Sequence, residues 1–201
     1  MTAAPVLVLE GPKNRIRIYE DRVEKTFHSG RYIARKARRE AAALRALAGL
    51  PGVPAILELS RDKRSLIMSR LHGTPLSECE SVAEGTLVSL RELVEQVLQR
   101  GVARHSLPAR DVIVQPDGSA GLVDFERSTR RLFPMEPSWL LARAITRFQL
   151  LRLVHEFAPQ LLTARERRRL RWQISVRDAL QPSLKLKRRL VRRIRATWTA
   201  S

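Results

Sequence analysis

Four side chains in this sequence are of types that handle polyphosphate and metal: Lys25, Glu40, Asp111 and Asp124. A triphosphate needs a cation beside its inner phosphates, and a buried lysine serves when a carboxylate fixes it. Lys25 lies near the end of RVEKTF, and Glu40 follows in an alanine- and arginine-rich stretch, so the two are candidates for such a pair. Magnesium takes oxygen ligands and tolerates few substitutes. Asp124 closes the run GLVD, which as a strand would aim its carboxylate into a cleft, while Asp111 stands just ahead of the second apolar run, VIV. Each also has a plain structural reading: a surface lysine, a helix-face glutamate, a turn aspartate capping a short strand.

Elements must hold those positions. Residues 5–27 alternate in short bursts, VLVLE, RIRIYE and RVEKTF, broken at Gly11–Pro12 and Glu20–Asp21. That pattern predicts three short antiparallel strands. YIARKARREAAALRALAGL (32–50) spaces Ile33, Ala37, Ala41, Leu44 and Leu47 as a helix, closed by Gly49 and Pro51. PAILELSRDKRSLIMSRL (54–71) predicts two more strands around Arg61–Asp62–Lys63, and His72–Pro75 reads as a linker. In SVAEGTLVSLRELVEQVLQRG (81–101), Leu87, Leu90, Leu93, Val94, Val97 and Leu98 share one side of an amphipathic helix. DVIV and AGLVDF then form two short strands around the turn Pro116–Asp117–Gly118. From Pro137 onward the chain reads as helical, with Thr163 and Glu166 spaced as a capping box. Strands first and helices after predict a two-lobe α+β protein. The expected division is a β-rich lobe over 1–71, a hinge at 72–75, a helical lobe over 76–182 and a basic amphipathic helix over 183–201.

Composition narrows the class. At 201 residues and 44% hydrophobic content the chain can bury a core. One cysteine, Cys79, excludes an internal disulfide framework and a CxxC metal site, and fits a reducing compartment. The N-terminus lacks a basic lead and its apolar run is cut by Glu10, unlike a secretory signal. No apolar run reaches the roughly 18 residues that a spanning helix needs. The formal charge of +18 is concentrated late, with thirteen basic residues against Glu166 and Asp178 between Arg165 and Arg195. Such a segment expects an anionic partner.

The order Lys25, Glu40, Asp111, Asp124 resembles that of the protein-kinase-like fold. More narrowly, the chain resembles small bacterial kinase-like proteins related to lipopolysaccharide core sugar kinases. RREAAALRALAGLPGVPAIL is similar to the helix-to-strand passage of that group, VDFERS to its metal-binding segment and APQLLTARERRRL to its late helices. The likeness covers most of residues 20–195. It implies ATP and Mg2+ as cofactors, with Lys25 and Glu40 on the phosphates and Asp111 and Asp124 on the metal. The acceptor it implies is a lipid-linked sugar or a protein hydroxyl.

Departures from the family pattern are equally specific. The family has H-G-D-L or a variant before the metal ligand, where its aspartate takes the proton of the attacking hydroxyl. Here Arg104–His105–Ser106–Leu107 puts Ser106 at that position. A serine hydroxyl is no base near neutral pH, and loss of such a group costs about 10²–10⁴-fold in rate. His105 titrates in the useful range and Asp111 carries a carboxylate, so both are candidate substitutes. Asp111 would then be lost as a metal ligand, and His105 reads equally as a loop histidine with backbone partners. Asp111 itself stands where the family usually has asparagine, and Glu126 where many kinases have glycine. The glycine-rich roof over the phosphates is reduced to Gly11 in LEGPKNR, and Pro12 has no amide to donate.

Three readings result. One is an ATP-dependent phosphotransferase of the lipopolysaccharide-kinase type with impaired catalysis. Another is a non-catalytic pseudokinase scaffold or adaptor on an anionic membrane surface. The last helix supports a membrane partner: Arg188, Arg189, Arg192 and Arg193 flank an apolar stripe of Leu186, Leu190, Val191, Ile194 and Trp198. Each basic residue near anionic lipid contributes about 1 kcal/mol. This predicts a cytoplasmic protein, peripheral at the inner membrane face. A nucleic-acid-associated accessory kinase is a third reading, against which stand the 5% aromatic content and the lack of a base-reading motif. The stripe also has a plain alternative, packing on the helical lobe with its arginines in water.

Overall fold

Five antiparallel strands and one helix open the chain in this computed structural model, which describes residues 4–12, 14–28, 33–133 and 135–176. The strands are β1 (Leu7–Glu10), β2 (Asn14–Ile18), β3 (Arg22–Phe27), β4 (Ile56–Leu59) and β5 (Ser65–Ser69), ordered β1-β2-β3-β5-β4. Alternation along β3 buries Lys25 and Phe27 on one face of the central strand. Lys25 pairs in register with Ile16 of β2 and Leu66 of β5, so the sheet holds its backbone from both sides. Helix α1 (Ile33–Ala46) buries Ala37, Glu40, Ala41, Ala43 and Leu44. Three alanines on that face let the helix axis approach the sheet closely, which brings a carboxylate within reach of β3. Gly49 ends the helical passage with φ of +73°, a left-handed geometry that glycine adopts without strain.

The later part is mostly helical. Its elements are β6 (Thr74–Pro75), α2 (Glu84–Gln99), β7 (Val102–Arg104), β8 (Val112–Val114), β9 (Ala120–Leu122), β10 (Ser128–Arg130), α3 (Pro137–Phe157) and α4 (164–176). All six apolar residues predicted for the inner side of α2 are buried, within one core that also includes Leu122, Phe125, Trp139, Leu151, Val154 and Leu170. The expected capping box forms. Thr163 Oγ1 accepts from the Glu166 amide at 3.2 Å, and Glu166 Oε2 accepts from the Thr163 amide at 2.9 Å. Glu166 also binds Arg91 of α2 at 2.8 Å, so the cap ties α4 to α2.

Three features differ in detail from the sequence expectation. Thr74 and Pro75, read as part of a linker, pair with Val114 and Ile113, so they form the edge of a β6-β8-β9 sheet. Pro75 is accommodated because an edge strand leaves one side of its backbone unpaired. Strands β7 and β10 were not anticipated, and they pair with each other, Ala103 opposite Thr129. Gly73, just before β6, has φ of +136°, and a Cβ there would stand 2.1 Å from the Val114 carbonyl oxygen. The predicted helix over 183–201, with Arg188, Arg189, Arg192 and Arg193, lies outside the described residues. Among those described, no helix is long and apolar enough to cross a membrane. The α+β two-lobe architecture, a small β-rich lobe before a mostly helical one, is as the sequence predicted.

Candidate functional site

Lys25 is 4% exposed, and its ammonium is the meeting point of three segments. Its Nζ donates to Glu40 Oε2 of α1 at 2.9 Å and to Asp124 Oδ1 after β9 at 2.7 Å. Glu126 Oε2 stands 3.9 Å away. Burial alone would pull the lysine down, but Glu40 and Asp124 outweigh it and hold the ammonium above its ordinary value, fully charged. Glu40 is buried and uses both oxygens: the second accepts from the Phe125 amide at 3.2 Å. Burial pushes Glu40 upward and Lys25 opposes it. One carboxylate thus joins β3, α1 and the 124–126 segment.

Asp124 adopts φ of +63°, a left-handed backbone that aspartate tolerates better than most residues. That turn leaves its carboxylate on Lys25 while the next side chain, Phe125, is fully buried in the core. Burial raises the Asp124 carboxyl, but Lys25 and Arg104 more than compensate and hold it below the usual aspartate value. Its side chain remains 42% exposed, against 1% for Glu40. Asp124 is therefore the member of the group that faces the open side.

Arg104, at the end of β7, organises the other half. Its Nη2 donates to Asp111 Oδ2 at 2.7 Å and to the Asp124 carbonyl at 3.1 Å, and its guanidinium lies 5.1 Å from the Phe125 ring centroid. The Val123 amide donates to the Asp111 carbonyl at 3.0 Å, a second tie between the two aspartate segments. Burial raises the Asp111 carboxyl to about 6, against the pull of Arg104, with Asp124 adding to the rise. Arg104 and Glu126 are the residues that sequence reasoning did not assign to the site. A buried arginine in GVARH has the same letters as a surface one, and its only signal was the apolar Val102 and Ala103 beside it.

Solved structures share this fold. Rio2 kinase from Chaetomium thermophilum, in an ADP/Mg2+-phosphoaspartate complex, superposes with a TM-score of 0.63 at 15% identity, over 81% of this chain and 58% of that one. WbdD superposes at 0.57 and 20% identity, over 74% of this chain and 37% of that one. A second WbdD structure, described as a bifunctional kinase-methyltransferase, gives 0.50 at 20% identity, over 80% and 47%. The fold is protein-kinase-like. No family model matches the sequence, and no curated protein matches it significantly. The chain spans well under two thirds of the length of each of these kinase structures.

On the kinase-like frame the remaining predicted residues can be located. Ser106 is half-buried in the loop after β7. His105 beside it donates its amide to the Arg127 carbonyl at 3.0 Å, and its Nε2 lies 2.8 Å from Thr129 Oγ1 of β10. Burial, Arg39 and Arg127 lower its pKa, so the ring is neutral near pH 7 and already engaged. The β1–β2 turn closes with the Gly11 amide donating to the Asn14 carbonyl at 2.9 Å, which takes that amide away from any ligand.

The site fits a hard divalent cation by its charge. Among the described residues, Glu40, Asp111, Asp124 and Glu126 face two buried cations, Lys25 and Arg104, with exposed Arg110 adding a third 3.7 Å from Asp111. All available donors are oxygens, the set that Mg2+ takes. Ligand oxygens of Glu40, Asp124 and Glu126 lie within 4.8 Å of one another. Glu40 is committed to Lys25 and the Phe125 amide, so Asp124 is the carboxylate best placed to change partners; Asp111 is outside that group of three and is held on Arg104 at 2.7 Å.

Proposed function

We propose that this chain is an ATP-dependent phosphotransferase of the protein-kinase-like type, weakened at the proton-accepting position. The observation that carries the reading is the Lys25 ammonium bound between buried Glu40 at 2.9 Å and half-exposed Asp124 at 2.7 Å. Phosphoryl transfer asks a protein for positioning and for cations against developing charge. Lys25, fixed by Glu40, would hold the inner phosphates. Asp124 and Asp111 would hold Mg2+, which supplies charge neutralisation at the phosphate oxygens when bound. Arg104 orients both aspartate segments and does not face the ligand. Ser106 would contact the acceptor hydroxyl but cannot take its proton, and neither His105, already paired with Thr129, nor Asp111, turned to Arg104, replaces it freely.

The lipopolysaccharide-kinase resemblance makes a sugar or lipid-linked sugar the leading acceptor class, ahead of a protein hydroxyl. Cytoplasmic placement at an anionic membrane face, through Arg188, Arg189, Arg192 and Arg193, belongs to the same reading. A pseudokinase scaffold is the second reading, favoured by Ser106 and the engaged His105.

Nucleotide titration by thermal shift tests the first reading. Asp124→Asn is the informative variant because asparagine also tolerates a left-handed backbone, so the change removes charge with little strain. ATP with Mg2+ is expected to raise the melting temperature of the unmodified protein and to lose that effect in Asp124→Asn. No shift with any nucleotide would leave the scaffold reading in its place.

A further inference from the structure

Thirteen large apolar side chains are exposed among the described residues, and five of them fall within ten positions. Leu132, Phe133 and Met135 are 73%, 59% and 77% exposed, and Leu140 and Leu141 are 40% and 64% exposed. Single exposed apolar residues need no explanation, whereas a cluster marks a surface that something else covers. This cluster is displayed by a built turn. Glu136 Oε2 accepts from the Leu132 amide at 3.1 Å, and the Glu136 amide donates to the Phe133 carbonyl at 3.4 Å. The Leu140 amide donates to the Glu136 carbonyl at 3.0 Å, which joins the turn to the start of α3. At its base the Arg131 amide donates to the Gly101 carbonyl at 2.8 Å. Trp139, Ala142 and Thr146 seat α3 in the core, so Pro137, Leu140, Leu141 and Ala144, at helical spacing on the opposite side, are all exposed.

Charge says what covers this surface. Between residues 127 and 143 stand four arginines, Arg127, Arg130, Arg131 and Arg143, against one acid, Glu136. The first three arginines are exposed, while the acid has one oxygen on the Leu132 amide and the other on the Ser138 hydroxyl. Apolar side chains rimmed by cations match an anionic lipid surface, the former at the acyl boundary and the latter among headgroups. Backbone that enters lipid must satisfy its polar groups internally, as the Leu132 and Glu136 amides do. A second copy is disfavoured, because a self-pairing contact sets the same patch against itself, arginine rim against arginine rim. Leucine, phenylalanine and methionine also offer no directional hydrogen bond, so the patch selects an apolar phase.

We propose that the 132–141 segment is an interfacial anchor: its five exposed apolar side chains enter an anionic bilayer while the flanking arginines hold the headgroups. The proposal rests on the placement at an anionic membrane face in the functional reading, but assigns the contact to a surface separate from Arg188, Arg189, Arg192 and Arg193. It requires no nucleotide.

Sedimentation of the full chain with vesicles of equal phosphatidylcholine and phosphatidylglycerol tests this, with pure phosphatidylcholine as reference. Leu132→Ser/Phe133→Ser/Leu141→Ser is expected to weaken binding to the anionic vesicles by about 10-fold or more. Its melting temperature should hardly change, because the three side chains lie outside the core. Phe133→Trp, which keeps an apolar ring, is expected to retain binding and to add indole emission that brominated lipid quenches. Arg188→Ser/Arg189→Ser/Arg192→Ser/Arg193→Ser is the comparison. If that variant loses binding while the triple variant binds as the unmodified chain does, the membrane placement stands and the anchor is overturned. Losses in both variants, with quenching in Phe133→Trp, would support two contacts on one bilayer. If the unmodified chain ignores anionic vesicles, placement and anchor both fall, and the patch is left to a protein partner. Sedimentation velocity without lipid covers the remaining occupant: a dimer that the triple variant turns into a monomer would assign the surface to a second copy and overturn the proposal.

Discussion

Glu40 accepts from the Lys25 ammonium with one oxygen and from the Phe125 amide with the other, so the two bonds together use both acceptor oxygens. Replacing it with glutamine would keep the shape but remove the charge that balances a buried lysine. Breaking one side of a buried pair costs about 3–5 kcal/mol, so Glu40→Gln should lower stability by an amount of that order, read from urea unfolding, and weaken ATP binding as well. At Ser106, which we propose stands where a base is missing, the expectation runs the other way. Ser106→Asp should raise ATP-dependent phosphate transfer by about 10²-fold or more, if transfer is limited by the missing carboxylate. Robust transfer in the unmodified protein with no gain in Ser106→Asp would refute the impaired-catalyst reading. These residues were legible because their types, order and flanking patterns agree. Arg104 was not, since burial of a charge is a property of the fold around it.

At the scale of elements, the helices and longer strands announced themselves. Helix α2 has six apolar residues on a period that leaves no other face to bury, and all six are in the core. Leu90, fully buried, should cost about 2–5 kcal/mol as Leu90→Ala, measurable as a lower urea midpoint with an unchanged slope. Strands β7 and β10 span three residues each. Such segments are too short to show alternation and exist because they pair with each other. Their pairing matters to the site, since it fixes Arg104 opposite Ser128 and aims the guanidinium at both aspartate segments. Gly73 is a further element-level constraint. Its left-handed φ and the 2.1 Å clearance to the Val114 carbonyl leave no space for a methyl group. Gly73→Ala should therefore destabilise by about 3 kcal/mol or more, with loss of thermal stability even though the crevice residues are untouched.

The whole molecule combines a strongly positive sequence with a carboxylate-rich cluster around Lys25 and Arg104. A net charge of +18, much of it between Arg165 and Arg195, attracts polyanions, while Glu40, Asp111, Asp124 and Glu126 gather around Lys25 and Arg104. On the proposed function, an arriving triphosphate would meet Lys25 already bonded to Asp124 at 2.7 Å. Taking that ammonium for itself would leave the Asp124 carboxylate beside the phosphates with no counter-charge. Free ATP and ATP accompanied by a divalent ion should thus behave as different ligands, the second far tighter, because the ion receives the released aspartate. On the proposed function, the lysine bridge would act as a lock that opens by exchange: nucleotide would take the ammonium only when it brings another cation in return.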